Sequence, residues 1–160
     1  MPTNANGASI WSTPSADVAG GRAYASTGNN YGTPATDTSD AIIAFELGSG
    51  TIIWKNQRTE NDTFGGFGGG PDYGFGANPV LYETMVDGVM TQLVSAGAKS
   101  GGNRMEVFDL DSGAMIKSFP SKGGTVAGTI TISNGRVAYG EGLSWSSGVR
   151  GSTLTVLSVP

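Results

Sequence analysis

The sequence contains no histidine and no cysteine. That removes the commonest metal ligand, the usual base near neutral pH, and every thiolate or disulfide. Proton transfer must fall to Asp, Glu, Lys or Tyr. Any metal must be held by oxygen, which favours calcium-like ions over zinc. Four residues could do such work. Asp72, between Pro71 and Gly74, reads as a turn residue or as the carboxylate base that a histidine-free site needs. Asn29, in Thr27-Gly28-Asn29, reads as a turn residue or as a neutral amide ligand for a hard cation. Trp11 is a packing residue or an indole face for a flat ring. Lys99 is a solvated hairpin residue or a fixed cation that stabilises developing negative charge.

The elements that must position these residues are strands. Glycine is the outstanding component, 27 of 160 residues, without the three-residue period of collagen. Apolar runs recur between the glycines, and no segment sustains a helical apolar period. Many short strands joined by Gly-rich turns fit this composition, and the reading is all-β. Charged residues are only 14% and the net charge is −4, without a Lys/Arg patch, which excludes the basic footprint of a nucleic-acid binder. No run approaches the roughly 18 apolar residues of a membrane span. Residues 1–15 show neither a basic nor a long apolar stretch, so no signal peptide is read there.

Internal repeats organise the strands. Ala44-Phe45-Glu46-Leu47-Gly48-Ser49-Gly50 is echoed by Val107-Phe108-Asp109-Leu110-Asp111-Ser112-Gly113, 63 residues later. Each copy reads as a strand end and a two-residue turn closing on Gly. Residues 153–158 read as a third copy of the strand before that turn. A second echo runs from Pro14 to Pro79, an offset of 65, with a shorter third copy at 128–139. Each unit reads as about four strands, inner to outer, the anatomy of a propeller blade. The expectation is a partial β-propeller of about three four-stranded antiparallel blades at 8–60, 74–122 and 124–160, with a long Gly-rich site loop over 58–76. Propellers close with roughly 4–8 blades, so missing upstream blades or self-association are expected to complete the ring.

Ala41-Ile42-Ile43-Ala44-Phe45 through Trp54 resembles the repeat of the pyrroloquinoline-quinone (PQQ) dependent alcohol dehydrogenases, nearest to the polyvinyl-alcohol-dehydrogenase-like subfamily, and the chain resembles the C-terminal segment of that family. The stretch 11–29 looks like the family segment in which a Trp forms the floor under the quinone and, 18 residues on, an Asn supplies oxygen to calcium; Trp11 and Asn29 match. Pro71-Asp72-Tyr73-Gly74 resembles the motif that carries the catalytic base, close to the metal. Ala98-Lys99-Ser100-Gly101 resembles the motif whose cation hydrogen-bonds the quinone oxygens. The resemblance extends along nearly the whole chain and weakens after Gly123. Trp145, in a Ser/Gly loop, has no place in it.

The resemblance implies an enzyme that oxidises an alcohol with PQQ and calcium, passing electrons to an external acceptor, in the periplasm or outside the cell. Asp72 would be the base, Trp11, Asn29 and Lys99 the cofactor contacts, and Asn29 and Asp72 the metal ligands. In lanthanide-using relatives a second Asp follows two residues after the base; here that position is Gly74, which implies calcium. Other family ligands lie upstream of this segment, so the chain by itself is expected not to turn over alcohol. Two other readings stay open. The same repeat builds non-catalytic propellers that act as protein-interaction scaffolds. Tyr31, Phe64, Phe67 and Tyr73 near the site loops would suit a sugar- or polymer-binding module.

Overall fold

The computed structural model describes residues 7–63, 72–99, 103–122, 124–126, 128–142 and 153–158. Within them lie twelve strands and no helix. The strands are β1 (Ala8–Ile10), β2 (Ser15–Asp17), β3 (Arg22–Asn30), β4 (Ala41–Glu46), β5 (Ile52–Gln57), β6 (Val80–Val86), β7 (Val89–Gly97), β8 (Arg104–Asp109), β9 (Met115–Pro120), β10 (Ile130–Ser133), β11 (Arg136–Glu141) and β12 (Thr153–Ser158). All pairings are antiparallel, in three consecutive sheets. The partial propeller read from the repeats is therefore the fold.

Among the described residues the sheets hold five, four and three strands. The first gains a strand because the nine-residue β3 is long enough to carry two short partners along one edge. β2 pairs with Arg22–Tyr24 and β1 with the far end, Thr27 to Asn30. Pro14 lies between the two; with no N–H, it cannot extend a continuous ladder. Of the expected long loop at 58–76, residues 64–71 lie outside the described residues, as do Phe64, Phe67 and Trp145.

The repeated turns are four residues long, not two. Glu46 N donates to Thr51 O at 2.8 Å and Gly50 N to Glu46 O at 2.8 Å. The second copy repeats both bonds, Asp109 N to Ala114 O and Gly113 N to Asp109 O. Gly50 and Gly113 stand at φ +72° and +71°, the left-handed region that closes such a loop without a Cβ penalty. The acidic residue caps its own turn: the Glu46 carboxylate accepts Gly48 N and Ser49 N, and Asp109 accepts Ser112 N and Oγ. Hydrogen bonds from Ser49 and Ser112 hold both carboxyls below their ordinary range. True two-residue hairpins occur elsewhere, at Asp87-Gly88 and Asn134-Gly135, where both central φ values are positive.

Two apolar layers join the sheets face to face. Tyr24, Ile42, Ala44 and Trp54 of the first sheet pack on Phe75, Val94, Ala96, Phe108 and Leu110 of the second. Leu93, Met105 and Val107 pack on Val126, Ile130, Val137 and Tyr139 of the third. The first joint also carries polar fasteners. Trp54 Nε1 donates to Leu110 O at 3.0 Å, and Asn56 Nδ2 to Gly113 O at 2.9 Å. A Cβ on Gly113 would fall 2.5 Å from the Trp54 ring, so the indole lies directly on the second blade's turn.

Arg58 crosses the same joint, its Nε donating to Oε2 of the buried Glu106 at 2.9 Å. Removing the guanidinium would leave the buried carboxylate only the longer contact of Arg104 Nη1 with its Oε1, at 3.9 Å. Arg58→Ala is expected to cost about 3 kcal/mol. Thermal melting of Arg58→Ala, Glu106→Gln and the double variant checks this. The double variant should recover most of the loss; a double variant as unstable as Arg58→Ala would mean the pairing is not the cause.

Candidate functional site

Three backbone segments meet where the first two sheets adjoin: the end of β3 at 27–29, the segment 72–76, and 97–99 after β7. Phe75 N donates to Thr27 O at 3.1 Å, Lys99 N to Gly74 O at 2.8 Å, and Gly76 N to Gly97 O at 3.1 Å. Phe75 and Ala98 form an antiparallel bridge. The segments approach closely because two glycines face each other. A Cβ on Gly74 would lie 2.7 Å from Gly28 Cα and 3.3 Å from Asn29 N.

The four candidate residues are brought together here. Trp11 leaves β1 with its indole over Gly28, whose missing side chain makes room for the ring. Trp11 remains 56% exposed, with Lys99 lying over its ring. Lys99 Nζ lies 4.3 Å from the Trp11 ring centroid and 3.4 Å from Asp72 Oδ2. It therefore bridges an aromatic face and a carboxylate. Asn29 is buried, and its Nδ2 donates to Asn30 O at 3.0 Å, which orients the amide. Asp72 Oδ1 is buried and has no hydrogen-bond partner.

Two acidic residues that the sequence did not single out lie beside these four. Asp40 is fully buried at the start of β4, at φ 50°, and its N–H donates to Gly28 O at 2.8 Å. Neither of its carboxylate oxygens makes a well-formed hydrogen bond, the Ser39 side chain being the donor beside them. Burial raises its pKa to about 7, helped by repulsion from Asp62 and Asp72 and opposed by a hydrogen bond from Ser39 and by Lys99. Asp62 receives Asn30 N on its backbone oxygen at 3.2 Å. In sequence, Ser39-Asp40 before an apolar strand reads as a turn, and nothing local marks Asp40 as buried. Among the described residues, no three acidic side chains are grouped tightly enough to ligate one ion by themselves.

Chemically, the arrangement offers a flat aromatic floor, a fixed cation above it, and an amide and a carboxylate beside it. A planar anionic ring and a hard cation would suit that donor set: an indole can take a ring, an ammonium its oxygens, and a carboxamide and a carboxylate oxygen a hard ion.

Comparison with known proteins gives a consistent picture. No family model matches the chain. A polyvinylalcohol dehydrogenase of Pseudomonas sp is 36% identical over 106 residues, 59% of this chain. A second polyvinylalcohol dehydrogenase, of Sphingopyxis sp. (strain 113P3), is 32% identical over 111 residues, 60% of this chain. The match covers only 16% of each of these relatives. Among solved structures, the quinohemoprotein alcohol dehydrogenase of Comamonas testosteroni superposes with TM-score 0.59 at 19% identity, over 72% of this chain and 17% of its own. A europium-containing methanol dehydrogenase superposes with TM-score 0.62 at 17% identity, over 96% of this chain and 35% of its own. At these identities the superpositions speak to fold alone. No helix among the described residues is long and apolar enough to cross a membrane.

Proposed function

We propose, on the premise that this chain is similar to the PQQ-dependent alcohol dehydrogenases, that it is the segment of such an enzyme that builds one wall of the quinone and calcium site. The observation that carries the reading is Lys99, poised between the Trp11 ring at 4.3 Å and Asp72 at 3.4 Å. A scaffold propeller has no reason to bring these residues together beside Asn29. When bound, PQQ and calcium supply hydride acceptance at a quinone carbonyl that the cation polarises.

The chain's own residues do the rest. Trp11 stacks under the ring and keeps water from that face. Lys99 directs its ammonium at ring oxygens, where a fixed cation favours developing negative charge. Asn29 and Asp72 hold calcium by oxygen. Asp72 receives the hydroxyl proton of the alcohol, the task a carboxylate must take where histidine is absent. The substrate class is an alcohol, by analogy with the relatives' names, electrons leave to an external acceptor, and the family analogy puts the enzyme in the periplasm or outside the cell.

Equilibrium dialysis of PQQ against the protein with calcium present tests the reading. Wild type is expected to retain PQQ, and Lys99→Ala to bind about tenfold more weakly, the weight of one charge-assisted hydrogen bond. Equal retention by wild type, Lys99→Ala and Trp11→Ala would sink it. Turnover is a separate matter. Asn29 and Asp72 give two ligands where calcium takes roughly 6–8 oxygens, so a dye-linked assay of the chain with PQQ and calcium is expected to show none. Turnover that disappears in Asp72→Asn would overturn that expectation.

A further inference from the structure

We infer that Asp40 is the buried counter-charge of the cation site: it does not ligate the ion, but its carboxylate supplies negative potential that the ion neutralises. This rests on the proposed calcium site and adds to it a residue outside the ligand set. Asp40 is fully buried, neither of its oxygens makes a well-formed hydrogen bond, and the Ser39 side chain beside them offsets the burial only in part. A carboxylate in that position is costly unless something positive answers it. The Ser39 side chain and the Lys99 cation lower the cost, and Asp62 and Asp72 raise it. Lys99 is itself engaged 3.4 Å from Asp72. The local charge is left in excess on the negative side, next to the donors of Asn29 and Asp72.

The geometry assigns Asp40 an electrostatic role rather than direct ligation. Its backbone is fixed from both sides, its N–H on Gly28 O and its carbonyl accepting Arg58 N, each at 2.8 Å. Gly28 adjoins Asn29, so Asp40 is anchored to the same strand, β3, that presents the amide. Charges act over several ångströms in a poorly solvated interior, and a bound cation dominates the electrostatics of its surroundings. Position 74, a glycine pressed on Gly28, has no room for a further acidic side chain.

The role makes an unusual pair of signs, and Asp40→Asn separates it from a structural one. Asn is nearly isosteric and tolerates the left-handed backbone found at Asp40. Without calcium, Asp40→Asn is expected to raise the melting temperature at pH 8 by about 3 °C, because it removes an uncompensated buried charge. With calcium, its affinity is expected to fall about tenfold by calorimetry in the absence of PQQ, with the circular dichroism spectrum unchanged. A residue that merely held the fold would lower the melting temperature when replaced. Unchanged calcium affinity in Asp40→Asn, with wild type binding, would overturn the counter-charge and leave the calcium site standing; this is also the result if solvent satisfies the carboxylate. Absence of calcium binding by wild type at millimolar concentration would take down both.

Discussion

Replacing Gly74 by alanine is expected to weaken calcium and PQQ binding at least about 100-fold while the three sheets stay folded. The new Cβ would lie 2.7 Å from Gly28 Cα. That neighbour is backbone, so no flexible side chain can yield. The segment 72–76 must withdraw from β3, which lengthens the Phe75 N to Thr27 O bond and carries Asp72 away from Asn29 and Lys99. Displacements near 1 Å at a preorganised site cost on the order of 100-fold. Calorimetry with calcium and dialysis with PQQ read the loss, and far-UV circular dichroism checks the sheets. Gly140→Ala is the control, since a Cβ there meets nothing within 4 Å. Wild-type binding by Gly74→Ala would show that the close approach of the two segments is not what shapes the site.

Truncating Trp54 to alanine is expected to destabilise the protein by about 3–5 kcal/mol. The indole is 9% exposed, packs on Tyr24 at a centroid distance of 5.8 Å, and covers Gly113 across the joint. Its loss leaves a cavity between two sheets and strips Leu110 O of the Nε1 donor. The melting temperature should fall by roughly 10 °C. Trp54→Phe keeps most of the ring and should lose about 1 kcal/mol, the net weight of one hydrogen bond. If Trp54→Phe proved as damaging as Trp54→Ala, the hydrogen bond rather than the buried ring would govern the joint.

The periodic features were legible in the sequence because a repeat writes the same strand and turn more than once. The Glu46 and Asp109 turns, the alanine-rich β4 and the strand at 153–158 were all found that way. Loop length was misread, since Gly50 and Gly113 close a four-residue loop whose acidic cap spends its hydrogen bonds on the turn itself. The split partner of β3 went unseen because strand pairing is decided across the sheet. At the site, Trp11, Asn29, Asp72 and Lys99 were visible as residue types at matched spacings. Asp40 and the facing glycines were not visible, because burial and close approach arise only when segments distant in sequence close on one another.

The joints between the sheets are unequal, and that sets the order in which the molecule opens. Sixty-three residues after Trp54 the repeat carries Lys117, so among the described residues no indole stands at the matching position of the second joint. The second joint is held by its apolar layer, by Val126 N on Ala98 O at 3.1 Å and by Ser121 Oγ on Glu141 Oε2 at 2.7 Å. Proteins open in cooperative units whose free energies follow such differences. In native-state hydrogen exchange, the amides of β4 and β7 should therefore be released together, in the rarest opening, whereas β11 should exchange through an earlier and more frequent one. The part of the chain that forms the quinone wall would then stay closed while the third sheet breathes.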